Sequence, residues 1–450
     1  MIRVHNVIII LAVGLLFFTR FYNLDKNFKF NRDESSDLVK MHQYWVDKKI
    51  SLIGPISEDG NLVYSSLSYY LNMPFAVMFN FTAVSPTIGN AFWSVVSALL
   101  MLFFLYKQSG KIGILDYILI IVWYPLLIIS RWAWNPNLIP LSMIFGLLLI
   151  ENKKWWSHFL GGLFLGLSGH MHYLALITSG IVGLFKSRKF IFCLGFVIPI
   201  GVFVAFDLTH LPGLFITRAF LFKQGQLGFN LFAFVSFYKY IIGSLLGLFI
   251  CFVLLIDDVK NKRSILIYWM SILSLIIAVC FIKSPQEHYF IPAIIPFWIW
   301  LMINRRGRGY LIKTALILVL IFNSSVKSYN LIFGKIPDDS SYSAELITDV
   351  IIDDIKNNNL LNPNLAVLQS SDINSFGLKY RDLLLTNGIN IKDKESFETS
   401  DNLFVITQNG NVNKLRVDPS VQMSYFKNGP VSMQEQIQGT SWWVFRFDRY

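Results

Sequence analysis

Arg32, Asp33 and Glu34 stand together in a polar stretch that follows the first long apolar segment of the chain. Asp37 comes four residues after Asp33, so on a helix the two carboxylates share one face, where their repulsion favours the protonated form of one of them. A carboxylate that readily takes up a proton can serve as a general base. The alternative is a solvated acidic loop. Placement directly after a membrane helix favours the functional interpretation.

Later groups of polar and aromatic residues each lie at the end of an apolar segment. Arginine can bind a phosphate through two parallel hydrogen bonds, and the face of a tryptophan ring can stack on a sugar. Ionisable residues at membrane depth usually face a cavity or a pathway. We therefore predict a substrate- or phosphate-binding site from side chains of these groups, namely Arg131, Trp134, Asn135, His172, Tyr173, Asp207, Arg218, Glu287, His288 and Tyr289.

Each group also has a purely structural interpretation. Tryptophans gather at membrane interfaces without any ligand, and a histidine in an apolar helix can be one hydrogen-bonded residue of the core. An interfacial belt does not explain why Arg131, Asn135 and Asn137 occur in one short turn. His170 and His172 lie two positions apart and cannot share a helix face, so we predict a helix break there.

Membrane helices must position these residues. The chain is 54% hydrophobic and 16% aromatic, well above the composition of soluble domains. Apolar segments of about 20 residues, the length that crosses a bilayer, recur up to about Phe322. We predict a polytopic α-helical protein with about eleven transmembrane helices, at residues 6–22, 86–106, 112–130, 137–150, 157–169, 173–185, 189–206, 239–256, 264–282, 289–303 and 309–325.

The net charge of +11 is distributed unevenly over the loops. The N-terminus and five short loops hold fourteen basic residues, whereas the alternate short loops hold only Arg131, Arg218, Lys223 and Lys283. Such a bias marks the cytoplasmic side of a membrane protein. We therefore predict a multi-pass protein of the plasma (inner) membrane with a cytoplasmic N-terminus, and no nucleic-acid partner.

Leu67–Phe81 is apolar enough to be a twelfth span. Counting it would move all five basic loops to the outside, so we predict an interfacial or re-entrant helix within one long outer loop, 23–85. An odd number of spans then places the C-terminus outside the cytoplasm. We predict a membrane domain over residues 1–325.

The composition becomes polar after Asn323. The segment 343–356 has the apolar spacing of a helix, and three short apolar runs are typical of strands. These runs are Leu365–Gln369, Leu403–Thr407 and Trp442–Phe447. We predict a small extracytoplasmic α/β domain over residues 326–450.

These residues resemble the GT-C superfamily of membrane glycosyltransferases, in particular its protein O-mannosyltransferase and aminoarabinose-transferase-like group (glycosyltransferase family 39-like). The resemblance covers residues 1 to about 325, and the Asp33–Glu34 pair is its most specific mark. Two departures are Ser66-Leu67-Ser68, where the family has a proline before Tyr-Tyr, and the lack of an Asp-x-Asp metal motif. The other matching runs are 20–25, 52–55, 68–71, 131–137, 172–173, 206–207 and 287–289.

The resemblance implies a glycosyltransferase of the hexosyl or pentosyl type, in which Asp33 deprotonates the acceptor and Glu34 orients Asp33 or a substrate hydroxyl. The acceptor hydroxyl belongs to a glycan, a lipid or a protein. Nucleotide sugars are not available outside the cytoplasm, so a polyprenyl-phosphate-linked sugar is the expected donor and the transfer inverts the anomeric carbon. Arg131, His288 or a bound divalent cation (Mg²⁺ or Mn²⁺) would neutralise the departing phosphate.

The alternative function is a transporter or flippase for a lipid-linked glycan. It explains the many helices and the polar groups at membrane depth, but not an acidic pair in a loop beside the membrane. Transporters often consist of two related halves, and the sequence shows no internal repeat. An anchored outer-surface sensor would not need eleven spans.

We expect protease added to intact cells, or to spheroplasts if there is an outer membrane, to cleave the chain beyond about residue 326. The reason is that an odd number of spans exposes the C-terminal domain on the outer side. The helices should remain as a protected fragment on an immunoblot. Cleavage only after lysis would mean an even number of spans and would make Leu67–Phe81 a transmembrane helix.

Overall fold

The computed structural model describes residues 2–28, 30–56, 62–219, 228–261, 264–303, 308–368 and 376–449. Its residues form two compact units, each assembled from three stretches of chain. Unit 1 consists of Met1–Tyr22, Ser51–Asn72 and Thr87–Gly334. Unit 2 consists of Asn23–Ile50, Met73–Pro86 and Lys335–Tyr450, so it combines the C-terminal residues with both ends of the predicted outer loop.

The described residues are mostly helical. The α-helices are α1 (Ile2–Phe21), α2 (Leu24–Asn27), α3 (Arg32–Val46), α4 (Leu67–Met78), α5 (Ser85–Ser109), α6 (Ile114–Val122), α7 (Tyr124–Ser130), α8 (Ile139–Ile150), α9 (Trp155–Met171), α10 (Ala175–Lys186), α11 (Lys189–Thr209), α12 (Phe232–Phe237), α13 (Leu245–Lys260), α14 (Leu266–Cys280), α15 (Ile294–Met302), α16 (Arg308–Phe333), α17 (Ser341–Asn357), α18 (Leu378–Thr386), α19 (Val412–Arg416) and α20 (Val421–Ser424). The strands are β1 (Ile53–Ile56), β2 (Val63–Ser65), β3 (Pro363–Leu368), β4 (Asn402–Thr407), β5 (Val431–Gln436) and β6 (Trp443–Asp448).

Several helices are long and apolar enough to cross a membrane. By length and composition, three described helical segments qualify alone, Ser85–Ser109, Lys189–Thr209 and Tyr310–Phe333. Two bent pairs qualify if each counts as one span, which raises the number among the described residues to five. The predicted count of eleven stays a prediction. Helix α4 has twelve residues, about 18 Å of helix, which is too short to cross a bilayer.

Two predicted spans are broken helices. The predicted helix 112–130 is wrong as a continuous element, because Trp123 is extended and separates α6 from α7. Pro125 stands in the first turn of α7, where its missing N–H costs no helical hydrogen bond. The predicted helix 239–256 is also interrupted. Its first segment ends at Gly243, whose φ of +76° stops the helix, and α13 begins after Ser244. The Ser244 side chain caps the new helix.

Small residues bring α9 and α11 into close contact. A Cβ on Gly162 would lie 2.3 Å from the carbonyl oxygen of Phe192, and one on Gly166 would lie 2.4 Å from that of Phe196. Side chains at these positions would force the helices apart. This close backbone approach is typical of helix pairs in membrane proteins. The predicted break near His172 is confirmed, because α9 ends at Met171 and His172 is extended.

Unit 2 contains a four-stranded mixed sheet in the order β3-β4-β6-β5. Strands β3 and β4 are parallel, and the other two pairs are antiparallel. One face buries Leu403, Val405, Phe445 and Phe447 in a core of its own. The three strands and the helix α17 that the sequence predicted in this region are present, although Gln369 lies outside the described residues. Strand β5 was missed because its residues are mostly exposed and polar.

Glu345 of α17 is a half-buried acidic residue of unit 2. One of its carboxylate oxygens accepts a hydrogen bond from the Ala83 N–H at 2.6 Å. The residue lines a cavity of about 120 Å³ together with Thr348, Asp349 and Asn387. Burial, with a smaller contribution from the charge of Asp349, raises the pKa of Glu345 from 4.5 to about 7.

We expect Glu345→Gln to stabilise unit 2 increasingly as pH rises. A folded-state pKa above the unfolded value means that the folded protein holds more protons between 4.5 and about 7, so its stability falls as pH rises through that window. Glutamine keeps a carbonyl oxygen for the Ala83 N–H and cannot ionise. The Tm difference between variant and wild type should grow between about pH 5 and about pH 8. Glu435→Gln, on exposed β5, is the control, and parallel Tm profiles for Glu345→Gln and wild type would contradict this account.

Candidate functional site

Asp33 and Glu34 lie in the first turn of α3, in unit 2. The Glu34 carboxylate accepts a hydrogen bond from the backbone N–H of Asn31 at 2.8 Å, as in a capping box. The Glu34 side chain is 5% exposed, whereas Asp33 is half-buried. Acidic groups in a first turn also interact favourably with the helix dipole. Glu34 therefore stabilises the helix start, and Asp33 is the more accessible carboxylate of the pair.

Arg131 follows α7 in unit 1 and is buried. Its Nη1 donates to the carbonyl oxygens of Thr19 and Arg20 at 3.1 and 3.2 Å. Its Nη2 donates to the carbonyl oxygen of Tyr22 at 2.9 Å. These carbonyls belong to the C-terminal end of α1, where no later N–H of the helix can reach them. Arg131 is therefore a helix cap, and the predicted phosphate contact stays a prediction.

An aromatic cluster forms in unit 1 from Tyr64, Trp134, His172, His288 and Tyr289. The ring centres of Trp134 and His288 are 4.3 Å apart, and those of His288 and Tyr289 are also 4.3 Å apart. His172 lies 5.8 Å from His288 and 5.6 Å from Tyr289. Tyr64 stacks on His172 at 5.5 Å. The fold thus brings together four of the predicted binding residues from three distant stretches of sequence.

The turn that carries Trp134 is held by side-chain amides. Asn135 donates to the carbonyl oxygen of Met171, and Asn137 donates to that of Trp132 at 2.7 Å. The Trp132 and Trp134 rings stack at 4.5 Å. Asn135, which was predicted as a binding residue, therefore links this turn to the end of α9. Its amide positions the indole rings.

Asp207 and Tyr173 support the backbone beside the aromatic cluster. The Asp207 carboxylate accepts three hydrogen bonds from backbone N–H groups, at 2.8 Å from Leu214 and 2.9 Å each from Phe215 and Thr217. The Tyr173 hydroxyl donates to the carbonyl oxygen of Val63 at 2.6 Å. Asp207 therefore anchors the segment that leads to Arg218, which is half-buried.

Glu287 precedes His288 and acts electrostatically on two phenols, those of Tyr124 and Tyr240. Lys327 lies nearby, with its Nζ 5.2 Å from the centre of the Tyr124 ring. The sequence analysis did not predict Tyr124, Tyr240 or Lys327 as residues of this region. It ended the last span at 325, whereas α16 continues to Phe333. The apolar residues between 326 and 333 are the signal that could have extended the helix.

Within the described ranges, no group of three or more His, Cys, Asp or Glu side chains is arranged to hold a metal ion. The predicted Mg²⁺ or Mn²⁺ stays a prediction, because one or two carboxylates and a substrate phosphate are enough to hold such an ion. The acidic residues Asp33, Glu34, Asp207 and Glu287 are spread over several elements. Two of them, Glu34 and Asp207, already accept backbone hydrogen bonds.

No protein-family model matches the sequence, and no curated protein matches it. Solved structures, in contrast, match the fold of this chain. ArnT from Cupriavidus metallidurans bound to undecaprenyl phosphate superposes with a TM-score of 0.60 at 9% identity, over 98% of this chain and 97% of the ArnT chain. ArnT from the same organism in the apo state gives 0.61 at 10% identity, with the same coverage. ArnT is an aminoarabinose transferase with a GT-C fold.

This chain has the GT-C fold. The predicted fold class is thereby confirmed as an architecture, and together with the apolar helices the fold makes this a multi-pass membrane protein. The likeness covers 98% of the chain, so it also includes the C-terminal residues, which the sequence resemblance left out. At 9% identity the roles of individual residues cannot be transferred from ArnT. The GT-C fold therefore fixes the framework, and the site residues stay predictions.

We expect Arg131→Ala to lower the Tm, because three carbonyl oxygens at the end of α1 lose their donor. A buried polar group without a partner costs about 1–3 kcal/mol. Arg131→Lys should be intermediate, since one ammonium group cannot reproduce two donor nitrogens held in a plane. Thermal unfolding in detergent measures both, with the exposed Lys283→Ala as control. A Lys variant with the wild-type Tm and much weaker donor binding would support the predicted phosphate contact instead.

Proposed function

We propose that this protein is an integral-membrane glycosyltransferase that moves a sugar from a polyprenyl-phosphate-linked donor to an acceptor hydroxyl on the outer face of the plasma (inner) membrane. The observation that carries the proposal is an accessible carboxylate, Asp33, in the first turn of α3 of a chain with the GT-C fold. ArnT, which shares the fold, has a structure that contains undecaprenyl phosphate. That ligand supports a lipid-linked donor.

The proposed reaction is a direct displacement at the anomeric carbon. Asp33 takes the proton from the acceptor hydroxyl, and the hydroxyl oxygen forms the new bond to the anomeric carbon. The bond between that carbon and the phosphate oxygen breaks, and polyprenyl phosphate departs with the bonding electrons. Attack from the face opposite the leaving group inverts the configuration. Glu34 contributes by holding the start of α3, and hence Asp33, in place.

The aromatic cluster is the proposed sugar-binding surface. Trp134 and Tyr289 offer ring faces for stacking, and His288 lies between them with ring centres 4.3 Å from each. A neutral His288 that donates an N–H suits the developing charge on the departing phosphate oxygen. Lys327, whose Nζ lies 5.2 Å from the centre of the Tyr124 ring, is a second cation for the same purpose. A hexose and a pentose both fit this chemistry.

The proposed reaction assigns neutralisation of the departing phosphate to protein side chains. The charge of Arg131 is directed at backbone carbonyls. Lys327 and Arg218 are the positive groups that we assign to the phosphate. The acceptor hydroxyl is that of a glycan, a lipid or a protein.

A flippase for a lipid-linked glycan is the second candidate, because broken helices at membrane depth are common in transporters. The pairs Tyr124–Ser130 with Asn135–Ile150 and Phe232–Ile242 with Leu245–Lys260 are bent by 119° and 98°. The two functions differ in whether a covalent bond breaks. Purified protein is incubated with a radiolabelled polyprenyl-phosphate hexose or pentose and a panel of acceptors. Released polyprenyl phosphate supports the transferase, and movement of intact donor across vesicle membranes without release supports the flippase.

We expect Asp33→Asn to reduce turnover by at least about a hundredfold, the usual contribution of a positioned general base. The amide keeps the size of the side chain but cannot accept the acceptor proton, so folding should be unaffected. Turnover is followed as release of labelled polyprenyl phosphate at saturating donor. Asp47→Asn, at the exposed far end of α3, is the matched control. Near-normal turnover of Asp33→Asn would exclude Asp33 as the base.

A further inference from the structure

Helix α3 is packed against the C-terminal part of unit 2. Its buried residues are Glu34, Ser35, Leu38, Val39 and Met41, which follow the three- and four-residue spacing of one helix face. The neighbour on that face is α18. Ser35 is two residues from Asp33, about 200° around the helix axis. The face that packs on α18 is thus nearly opposite the face that carries Asp33.

A side-chain hydrogen bond joins the two helices. The Ser35 hydroxyl oxygen is 2.6 Å from a carboxylate oxygen of Asp382, on α18. Ser35 is fully buried. Burial raises the pKa of Asp382, while the Ser35 hydrogen bond and the charge of Arg32 oppose that rise. Asp382 is therefore a half-buried acid that interacts with Ser35 and Arg32 in the first turn of α3.

The chain just before α3 is held by the same part of the molecule. The Phe30 N–H donates to the carbonyl oxygen of Asp339 at 2.9 Å, and the Ser341 N–H donates to that of Phe28 at 3.0 Å. The Lys379 ammonium group lies 3.3 Å from the Phe30 carbonyl oxygen. The backbone on the N-terminal side of Asp33 is thus tied to residues that lie more than 300 positions later in the sequence.

We propose that the C-terminal domain positions the general base, and that Asp382 is a positioning residue that holds α3 through Ser35. This inference rests on the proposed function for its catalytic part. A hydrogen bond, two backbone ties and a buried helix face fix the direction in which Asp33 points. A base must lie within hydrogen-bond reach of the proton it accepts, and an error of about 1 Å in such a position costs on the order of a hundredfold in rate.

The test compares Asp382→Ala, Asp382→Asn and the milder Ser35→Ala. The alanine variants remove the hydrogen bond, whereas asparagine keeps an oxygen that accepts it. The matched control is Asn402→Ala, which removes the Asn402–Asp448 hydrogen bond of 2.7 Å from the sheet of the same unit. The full-length protein is used throughout. The measurements are kcat, the KM for donor, the Tm, and amide hydrogen exchange over residues 32–46.

We expect Ser35→Ala and Asp382→Ala to lower kcat by about tenfold or more with little change in the KM for donor, and to speed hydrogen exchange in α3. Asp382→Asn should recover most of the kcat. Asn402→Ala should lower the Tm and leave both kcat and α3 exchange at wild-type values. Ser35→Ala is a small change. If Asp382→Ala does not fold, the Ser35→Ala result decides whether this contact positions α3.

Two outcomes would overturn the inference. The first is unchanged exchange in α3 in the Ser35 and Asp382 variants, which would mean that this contact does not hold the helix. The second is a fall in Tm with wild-type kcat, as in the control, which would mean that the contact is only structural. Wild-type protein without any transfer activity would overturn the proposed function. The exchange measurement would then still decide whether the domain holds α3.

Discussion

Backbone carbonyl groups at the end of a helix need donors, and in an apolar environment water does not supply them. Unit 1 meets this constraint with charged side chains. Arg20 donates to the carbonyl oxygens of Ile120 and Ile121 at the end of α6, at 2.7 and 2.6 Å. Arg131 does the same for α1, and Lys313 for the end of α15. These contacts connect α1, α6 and α7, on which the position of the Trp134 turn depends.

The same constraint separates structural charges from candidate functional ones. Asp207 accepts three backbone N–H groups, and Glu34 accepts the N–H that opens α3. Such groups resemble catalytic residues in the sequence because both kinds are charges in apolar surroundings. Their hydrogen bonds identify them as caps.

Unit 2 joins the C-terminal residues to two earlier stretches of the chain. It combines a mixed sheet with α3 and the residues before it, so the candidate base is built into the domain. Two of its acidic residues, Glu345 and Asp382, accept hydrogen bonds from these earlier stretches, at Ala83 and Ser35. A change in this domain therefore reaches Asp33 without contact with substrate.

The sequence by itself determined the elements that depend only on residues close to one another along the chain. Apolar length indicated membrane helices, and the spacing of residues 343–356 located α17. It also identified the His172 break, since two histidines at that spacing cannot share a helix face. The edge strand β5 escaped because polar, exposed residues carry no periodic signal. The break at Trp123 escaped because an apolar run looks continuous whether or not its backbone is.

Only the tertiary structure decided which polar residues lie close together. His288 and Trp134 lie more than 150 positions apart, and Ser35 and Asp382 lie 347 apart. Their contacts follow from how helices pack, which no local pattern records. Whether a buried charge such as Arg131 binds a ligand or a carbonyl depends on its neighbours in space. The residue type and its depth are the same in both cases, so the sequence shows that a charge is buried and the fold shows why.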